Sequence, residues 1–301
     1  MTSRQRFKET INYGHPDRPP YFEEGGRKDV LKAWYKQGLS PDSKPGDLFP
    51  TDMFELIMLE IDPFPAYSKW PSSADELEEF KNRLNANDPK RFPKTWKRKL
   101  RQWQRFKELM TLVIENPEFV KQMMSIQGEF AAKLLDKMLN DIKIDAAIFS
   151  EPIGGNERPL ISPAMYEDLV LQSYKPLFDV LDKHGIETVV FRTYANARIY
   201  IPLILKYGFI CLWACETIIE EMDYRSIRRE FGKELRLIGG IDLDVLRRDK
   251  KAIRREVREK VPPLIADSGY VPLADGRVRK DITFENYLYY RRLLDDMLRT
   301  V

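Results

Sequence analysis

Five short apolar runs in the second half of the chain each end in an ionisable side chain. These side chains are Glu151, Arg192, Glu216, Asp242 and Asp275. Carboxyl groups can donate or accept protons, and a guanidinium group can bind a carboxylate through two parallel hydrogen bonds. If the runs are neighbouring parallel strands, their carboxyl ends bring these groups to one edge of a sheet. The pattern therefore predicts a site for an anionic small molecule, with carboxyl groups available for proton transfer.

Arg192 is the most informative of these residues, because an arginine at the end of a buried strand is costly unless it meets an anion. One interpretation is an ion pair with Glu151 or Glu216. The other is a clamp for a substrate carboxylate, and both stay open. Glu151 itself is either functional or a structural carboxylate at the end of its strand.

Two further strand ends also have two interpretations each. Asp242 follows Gly239-Gly240-Ile241 and either takes part in the chemistry or caps the next helix. Asp275 lies in the turn Ala274-Asp275-Gly276-Arg277 and is either reactive or holds Arg277 in place.

The two cysteines do not form a predicted metal site. Cys211, Trp213 and Cys215 alternate onto one face of a strand, which separates the two thiols by ~13 Å. They are interpreted as small buried apolar residues. His15 lies in a turn and His184 at the end of a helix, so both are interpreted as structural, and no Ser–His–Asp or Cys–His arrangement is indicated.

Composition excludes several classes of protein. The 301 residues include 2 Cys and 2 His, too few for a disulfide scaffold or a multi-His zinc site. Lys and Arg number 50 against 47 Asp and Glu, which argues against a dedicated nucleic-acid binder. The sequence contains neither a membrane-spanning apolar run nor a signal peptide, so a cytoplasmic globular protein is expected.

Apolar runs without helical periodicity alternate with amphipathic stretches. Strands are predicted at 145–152, 187–192, 209–216, 235–242 and 269–275, with another at 20–24. Helices are predicted at 162–184, 195–207, 224–231 and 250–268. Ser162 and Pro163 have the residue types of a helix start, and a glycine follows both His184 and Tyr207, as at helix ends.

This alternation predicts an α/β fold with a parallel sheet, either a TIM (β/α)8 barrel or an open doubly wound sheet. The barrel is favoured because every strand ends in its own polar group and none precedes a Gly-x-Gly-x-x-Gly turn. Only six of eight strands are identified, and 62–116 contains no convincing one. The strongly basic run at 93–108 is interpreted as a solvated helix face, with a phosphate, nucleic-acid, anionic-substrate or partner contact as the alternatives.

Several segments together resemble the uroporphyrinogen decarboxylase superfamily, which includes corrinoid-dependent methyltransferases. They are Ser3–Phe7, Pro16–Pro20, Pro117–Val120, Leu160–Pro163, Ile238–Asp242, Val261–Leu264 and Phe284–Tyr287. The resemblance implies a single barrel domain over 1–301, with an atypical, shortened segment at 68–115.

The departures from the family pattern concern the site. The methyltransferase branch carries His-x-Cys where this chain has Arg192 and Tyr194, and its third metal cysteine falls near Asp275. No metal is therefore expected. The decarboxylase signature has two arginines around Gln-Ala-Gly, of which the segment from Glu23 to Arg27 keeps only Gly26-Arg27. Asp52 is the one candidate for its catalytic aspartate.

The resemblance implies decarboxylation of a carboxylated tetrapyrrole or another anionic small molecule. Asp275 or Glu151 would supply the proton that replaces CO2. The substrate-binding residues expected are Arg192, Tyr194, Asn196, Glu216, Asp242, Arg277 and Arg27. No cofactor is expected, and neither a nucleic acid nor a membrane is expected as a partner.

Two alternatives remain beside the decarboxylase. One is a corrinoid-dependent methyltransferase without the usual zinc site, whose partner would be a corrinoid protein. The other is a non-catalytic barrel with a binding or scaffold role. A homodimer is compatible with each of these functions.

Overall fold

The computed structural model describes residues 1–43, 48–49, 51–57, 59, 110–151, 153–155, 158–215 and 221–300. The predicted shortened segment 68–115 and the basic run at 93–108 lie outside these residues, except that 110–115 are helical. Glu216 also lies outside them. The chain divides into two compact units, one formed by Met1–Leu56, Asp145–Leu160 and Thr188–Val301, and the other by Ile57–Ile144 and Ile161–Glu187.

The first unit contains a parallel sheet, as the apolar runs predicted. Its strands are β1 (Ala147–Glu151), β2 (Val189–Tyr194), β3 (Cys211–Cys215), β4 (Arg236–Ile241) and β5 (Tyr270–Ala274). All five predicted strands of the second half are confirmed. Strands β2 to β5 are mostly or wholly buried, as nearly continuous apolar runs in a parallel sheet are, whereas β1 is only partly buried.

The strands pair in chain order, β1-β2-β3-β4-β5, and every pair is parallel. A doubly wound sheet reverses its strand order at a switch point, and no reversal occurs among these five strands. Within the described ranges the sheet is open, because β1 and β5 do not pair with each other. The fold is therefore a mixed α/β fold built on a five-stranded parallel sheet.

The predicted strand at 20–24 is wrong, since these residues run beside the sheet without joining it. The backbone of Tyr21 is paired with Asp52 instead. The Tyr21 N–H donates to the Asp52 carboxylate at 2.8 Å, and the Asp52 N–H donates to the Tyr21 carbonyl at 2.6 Å. Two prolines before Tyr21 also lack the N–H that a sheet ladder needs.

Helices precede β1, connect the successive strands and follow β5. They are α1 (Ser3–Ile11), α2 (Val30–Tyr35), α3 (Pro117–Asp141), α4 (Pro163–Leu169), α5 (Lys175–Lys183), α6 (Ile201–Lys206), α7 (Tyr224–Phe231), α8 (Lys250–Ala266) and α9 (Phe284–Arg299). Single turns of 3-10 helix occupy Leu171–Tyr174, Arg198–Tyr200, Gly232–Glu234 and Leu243–Arg247. Among the described helices, none is both long and apolar enough to cross a membrane.

The predicted helices lie where they were expected along the chain, but some of them are interrupted. Ser162 caps α4 and Pro163 is its first residue, as predicted. The single helix expected over 162–184 is broken into α4, a 3-10 turn and α5. Pro176 explains part of this break, because a proline cannot donate the hydrogen bond that a continuous helix needs.

One face of the sheet in the first unit is closed by the chain's own N-terminal segment. Ile11 and Phe22 pack against Val190, Trp213 and Ile238, together with Cys211, Cys215, Val271 and Leu273. Cys211, Trp213 and Cys215 thus share one face of β3, as the alternation predicted.

The second unit packs α3 against α4 and α5. Its apolar core consists of Val113, Phe119, Val120, Met123 and Leu169. Gly128 lets the helices approach closely, since a Cβ there would lie 2.0 Å from the Ser173 carbonyl oxygen. His184 ends α5 and lies 2.7 Å from an Asp136 carboxylate oxygen, a contact that gives it a structural role within this unit.

Candidate functional site

An arginine–glutamate pair lies at the carboxyl ends of the strands. Arg192 is in β2, and Glu24 follows the segment that closes the face of the sheet. Nη2 of Arg192 donates to Oε2 of Glu24 at 2.8 Å, with the two side chains only 18% and 6% exposed. Burial by itself lowers the pKa of Arg192, but the negative charge of Glu24 more than compensates and raises it above its usual value. Arg192 therefore stays a cation.

Aromatic rings surround this cation. The guanidinium carbon of Arg192 lies 4.8 Å from the ring centroid of Trp213 and 5.8 Å from that of Tyr194. Phe54 stacks on Phe22 with ring centroids 4.7 Å apart, and both rings meet Trp213 edge-on at about 6 Å. The charged group thus lies against an aromatic wall, and such a wall favours a ligand that is anionic at its edge and apolar or aromatic in its body.

The cation has hydrogen-bonding capacity left over. Within the part of the chain that the structure describes, neither the buried Nε of Arg192 nor the buried Nε1 of Trp213 has a hydrogen-bond partner. A buried donor without an acceptor costs about 1–3 kcal/mol. Two donors of this kind on neighbouring strands suit a ligand that is rich in hydrogen-bond acceptors.

Cys215 also contacts Glu24, at the carboxylate oxygen that Arg192 does not bind. Its thiol donates to Oε1 of Glu24 at 2.9 Å. Burial, reinforced by the charge of Glu24, raises the pKa of Cys215 well above that of a free thiol. Burial also raises the pKa of Cys211. Both cysteines are therefore neutral thiols, in agreement with their interpretation as buried residues, although Cys215 has a polar contact that the sequence did not predict.

Glu23 is a second acid that sequence reasoning missed. Its carboxyl group accepts hydrogen bonds from the Tyr290 hydroxyl at 2.6 Å and from the Ala274 N–H at 3.2 Å. Burial raises its pKa to about 7, even though the positive charge of Arg291 acts in the opposite direction. A carboxyl group that titrates near neutral pH at a strand end can exchange protons with a ligand.

Among the described carboxylates, Arg192 pairs with Glu24 and not with Glu151, and Glu216, the other partner considered from the sequence, lies outside the described residues. Glu24 lies 168 residues from Arg192 in the chain. The available signal was weak: two adjacent acids directly after the apolar pair Tyr21-Phe22.

Asp275 is held at the end of β5. It is 3% exposed, and its Oδ1 accepts from the N–H of Leu243 at 2.9 Å. Its own N–H donates to the Ile241 carbonyl, so the residue joins the ends of β4 and β5. Arg277, beyond the turn, is exposed. Burial raises the pKa of the Tyr194 phenol, and the positive charge of Arg277 offsets part of this rise.

Three of the other predicted site residues lie at strand ends. Glu151 is the last residue of β1, and its carbonyl accepts from the Thr193 hydroxyl at 3.0 Å. Asp242 caps the 3-10 helix after β4 through the Asp244 N–H at 2.8 Å, which is the capping role that the sequence suggested. Burial raises the pKa of Asp242. Tyr194 ends β2 and lies half-buried beside Arg192.

Asn196 and Arg27 are anchored by their backbones. The side-chain oxygen of Asn196 accepts from the Arg198 N–H at 3.2 Å, and its N–H donates to the Gly155 carbonyl. Arg27 is exposed, and its N–H donates to the Val278 carbonyl at 2.9 Å. Asn196 therefore stabilises the turn after β2, and Arg27 occupies an exposed position beside Val278.

Asp52, the candidate for a catalytic aspartate, is enclosed by its own partners. It pairs with Arg6 and Arg18 and accepts from Ser3 and from the Tyr21 N–H, with a side chain 5% exposed. These contacts lower its pKa despite burial. Asp52 thus ties the N-terminal helix to the segment that carries Glu23 and Glu24.

The residues that stand at the metal positions of the methyltransferase branch do not fit a zinc ion. Arg192 is a cation that is paired with Glu24, and Tyr194 has a raised pKa that keeps its phenol neutral. Across the described residues there is no group of three or more His, Cys, Asp or Glu that could hold a metal ion.

Comparison with known families is consistent with the parallel sheet. Residues 101–272 match the model of the family uroporphyrinogen decarboxylase (URO-D), which is more than half of the chain. The matched range includes β1 to β4, the start of β5 and Arg192. No curated protein matches the chain. The sequential parallel sheet and the extent of the match lead to one conclusion: the chain belongs to the uroporphyrinogen decarboxylase (URO-D) family.

Proposed function

We propose that the protein is a uroporphyrinogen-decarboxylase-like enzyme that removes CO2 from a carboxylated tetrapyrrole or another anionic small molecule. Membership of the family supports a decarboxylase- or methyltransferase-like function of a general kind. The observation that carries the proposal is Arg192, a partly buried cation on the face of Trp213 whose Nε is buried and has no hydrogen-bond partner among the described residues. A substrate carboxylate supplies the acceptor that is lacking there.

The cationic part of the site binds the carboxylates of the substrate, and the aromatic part binds its apolar body. A carboxylate of the substrate accepts a hydrogen bond from the guanidinium group of Arg192, which also keeps its hydrogen bond to Glu24. The apolar body of the substrate packs against Phe54, which is exposed and stacks on the buried Phe22. Arg277 and Arg27, both exposed, hold further carboxylates at the edge. Tyr194 donates a hydrogen bond, and Asn196, Asp242 and Glu216 complete the set of proposed contacts.

Decarboxylation breaks a carbon–carbon bond, and the electron pair stays on the substrate carbon until an acid protonates it. Asp275 and Glu151 remain the proposed acids from the sequence. Glu23 joins them, because its carboxyl group is protonated for part of the time near neutral pH. We propose that this chemistry needs no cofactor.

The finer architecture is also a proposal. The five strands in sequential order are the arrangement expected for part of the wall of a (β/α)8 barrel. We propose that these strands belong to such a barrel, incomplete or shortened in its first half.

The test is incubation of the purified protein with uroporphyrinogen under anaerobic conditions, with chromatography of the products. Products that have lost one or more carboxylates are expected. The Arg192→Gln variant should lose most of this activity, whereas Arg248→Gln, which removes an exposed charge, should keep it. A folded protein without turnover, or an Arg192→Gln variant with full activity, would contradict the proposal.

The other two functions are outcomes of the same test. A corrinoid-dependent methyltransferase would leave uroporphyrinogen intact and transfer a methyl group from an added corrinoid protein. A non-catalytic barrel would bind a carboxylated ligand without converting it.

A further inference from the structure

A cluster of basic side chains surrounds Tyr13 at the amino ends of β4 and β5, in the unit that contains the sheet. The guanidinium carbons of Arg228 and Arg236 lie 5.5 and 5.1 Å from the centroid of the Tyr13 ring, and Lys233 Nζ lies 5.1 Å from it. No two of these cations can be much farther apart than the Debye length of roughly 10 Å. Their mutual repulsion is therefore only partly screened.

No acidic group neutralises this cluster. Among the residues that the structure describes, none of the three cations has a carboxylate oxygen within 4.0 Å. Arg228 donates instead to the Tyr13 hydroxyl at 2.8 Å and to the carbonyls of Ser268 and Gly269. Arg236 donates to backbone carbonyls as well. Three positive charges are thus gathered around one ring without a counter-charge.

Arg228 also has an unused donor. The residue is only 7% exposed, and its buried Nε has no hydrogen-bond partner among the residues that the structure describes. A buried guanidinium group normally meets an anion. Here it meets only neutral oxygens.

The position of the ring is fixed by the backbone. Tyr13 has a left-handed φ of 57°. Gly269, also left-handed, makes room for the ring, because a Cβ at this position would lie 2.3 Å from Tyr13 Cε1. The Gly269 N–H donates to the Thr10 carbonyl at 3.0 Å. The three cations are therefore arranged around a preorganised support.

We propose that this cluster is a binding site for an oxyanion of the phosphate type, either free phosphate or the phosphate group of a small molecule. Lys233 is exposed and Arg236 partly exposed, so both can reach the anion directly. Arg228 lies beneath and contributes its positive charge. A phosphate group matches several cationic donors at once, because its oxygens accept from guanidinium and ammonium groups together. The site lies at the strand ends opposite to those that carry Arg192, so it is independent of the proposed decarboxylase function.

The test is a calorimetric titration of the full-length protein with inorganic phosphate and, separately, with a phosphate monoester, at constant ionic strength set with NaCl. Saturable binding of either compound is expected, and the tighter of the two identifies the source. Lys233→Gln should weaken it by about tenfold, the loss expected for one hydrogen bond to a charged group. The double variant Lys233→Gln/Arg236→Gln should abolish it.

The matched control is Arg229→Gln, which removes an exposed charge on the same helix as Arg228 and should bind as the wild type does. Lys233 is exposed, so its single variant is expected to keep the fold. Binding that is equal in the wild type and in Lys233→Gln would overturn the proposal. So would the absence of saturable binding in the wild type, or an equal loss in Arg229→Gln.

Discussion

Glu23 should make the protein less stable as the pH rises through neutrality, and the Glu23→Gln variant should remove this dependence. The pKa of Glu23 is raised from 4.5 to about 7, and burial is the main cause. The folded protein therefore keeps a proton that the unfolded chain gives up above pH 4.5. Its contribution to stability is fully present below about pH 4.5 and is lost as the pH rises through 7.

The size of the effect follows from the two pKa values. A difference between 4.5 and about 7, at about 1.4 kcal/mol for each pKa unit, corresponds to on the order of 3 kcal/mol. Gln has the shape and charge of the protonated acid. Its amide can donate to the Tyr290 hydroxyl and its oxygen can accept from the Ala274 N–H, so both observed contacts have a counterpart.

The measurement is urea unfolding, followed by tryptophan fluorescence, at a series of pH values between 4.5 and 8. The free energy of unfolding of the wild type should fall relative to Glu23→Gln by on the order of 3 kcal/mol over this range. Glu234→Gln is the matched control, because Glu234 is exposed, and it should follow the wild type. The reasoning would be refuted if the difference in unfolding free energy between the wild type and Glu23→Gln stayed constant from pH 4.5 to 8. It would also be refuted if the wild type became more stable relative to the variant as the pH rises.

Three more substitutions have expected outcomes. Glu24→Gln removes the counter-charge of Arg192 and should cost about 3 kcal/mol in urea unfolding, while carboxylate ligands bind more tightly because Glu24 no longer competes with them. An unchanged unfolding midpoint would show that the pair is not stabilising. Asp52→Asn removes the carboxylate that Arg6 and Arg18 share, although Arg6 keeps its contacts with Asp17, and should cost about 3 kcal/mol; a loss below about 1 kcal/mol would contradict this. Gly240→Ala places a Cβ 2.6 Å from the Tyr224 ring at a φ of +86°, so a loss of more than about 2 kcal/mol is expected in the same assay, and wild-type stability would be the contrary result.

Local sequence patterns were sufficient for the strands and for their carboxyl ends. Runs such as Val189–Phe191 are apolar without helical periodicity, because both faces of a parallel sheet are covered. Glu151, Asp242 and Asp275, which end three of these runs, lie at the carboxyl edge of the sheet. The continuity of helices was harder to predict, as the break before Pro176 shows.

The part of the site that depends on distant contacts was not predictable. Glu24 meets Arg192 only because the N-terminal segment folds across the sheet, and its backbone is directed there by the pairing of Tyr21 with Asp52. The same pairing explains why 20–24 is not a strand. Neither contact leaves a periodic signal in the sequence, and the raised pKa of Glu23 depends on burial by residues far along the chain.

The central claim is that Arg192 binds a carboxylate of the substrate. It is tested most directly by the affinity for uroporphyrin, the oxidised and unreactive form of uroporphyrinogen, measured by quenching of tryptophan fluorescence. The wild type and Arg248→Gln should bind it equally. Arg192→Gln should bind it at least about tenfold more weakly, since it lacks one charge-assisted contact. Equal affinity of the wild type and Arg192→Gln would contradict the claim.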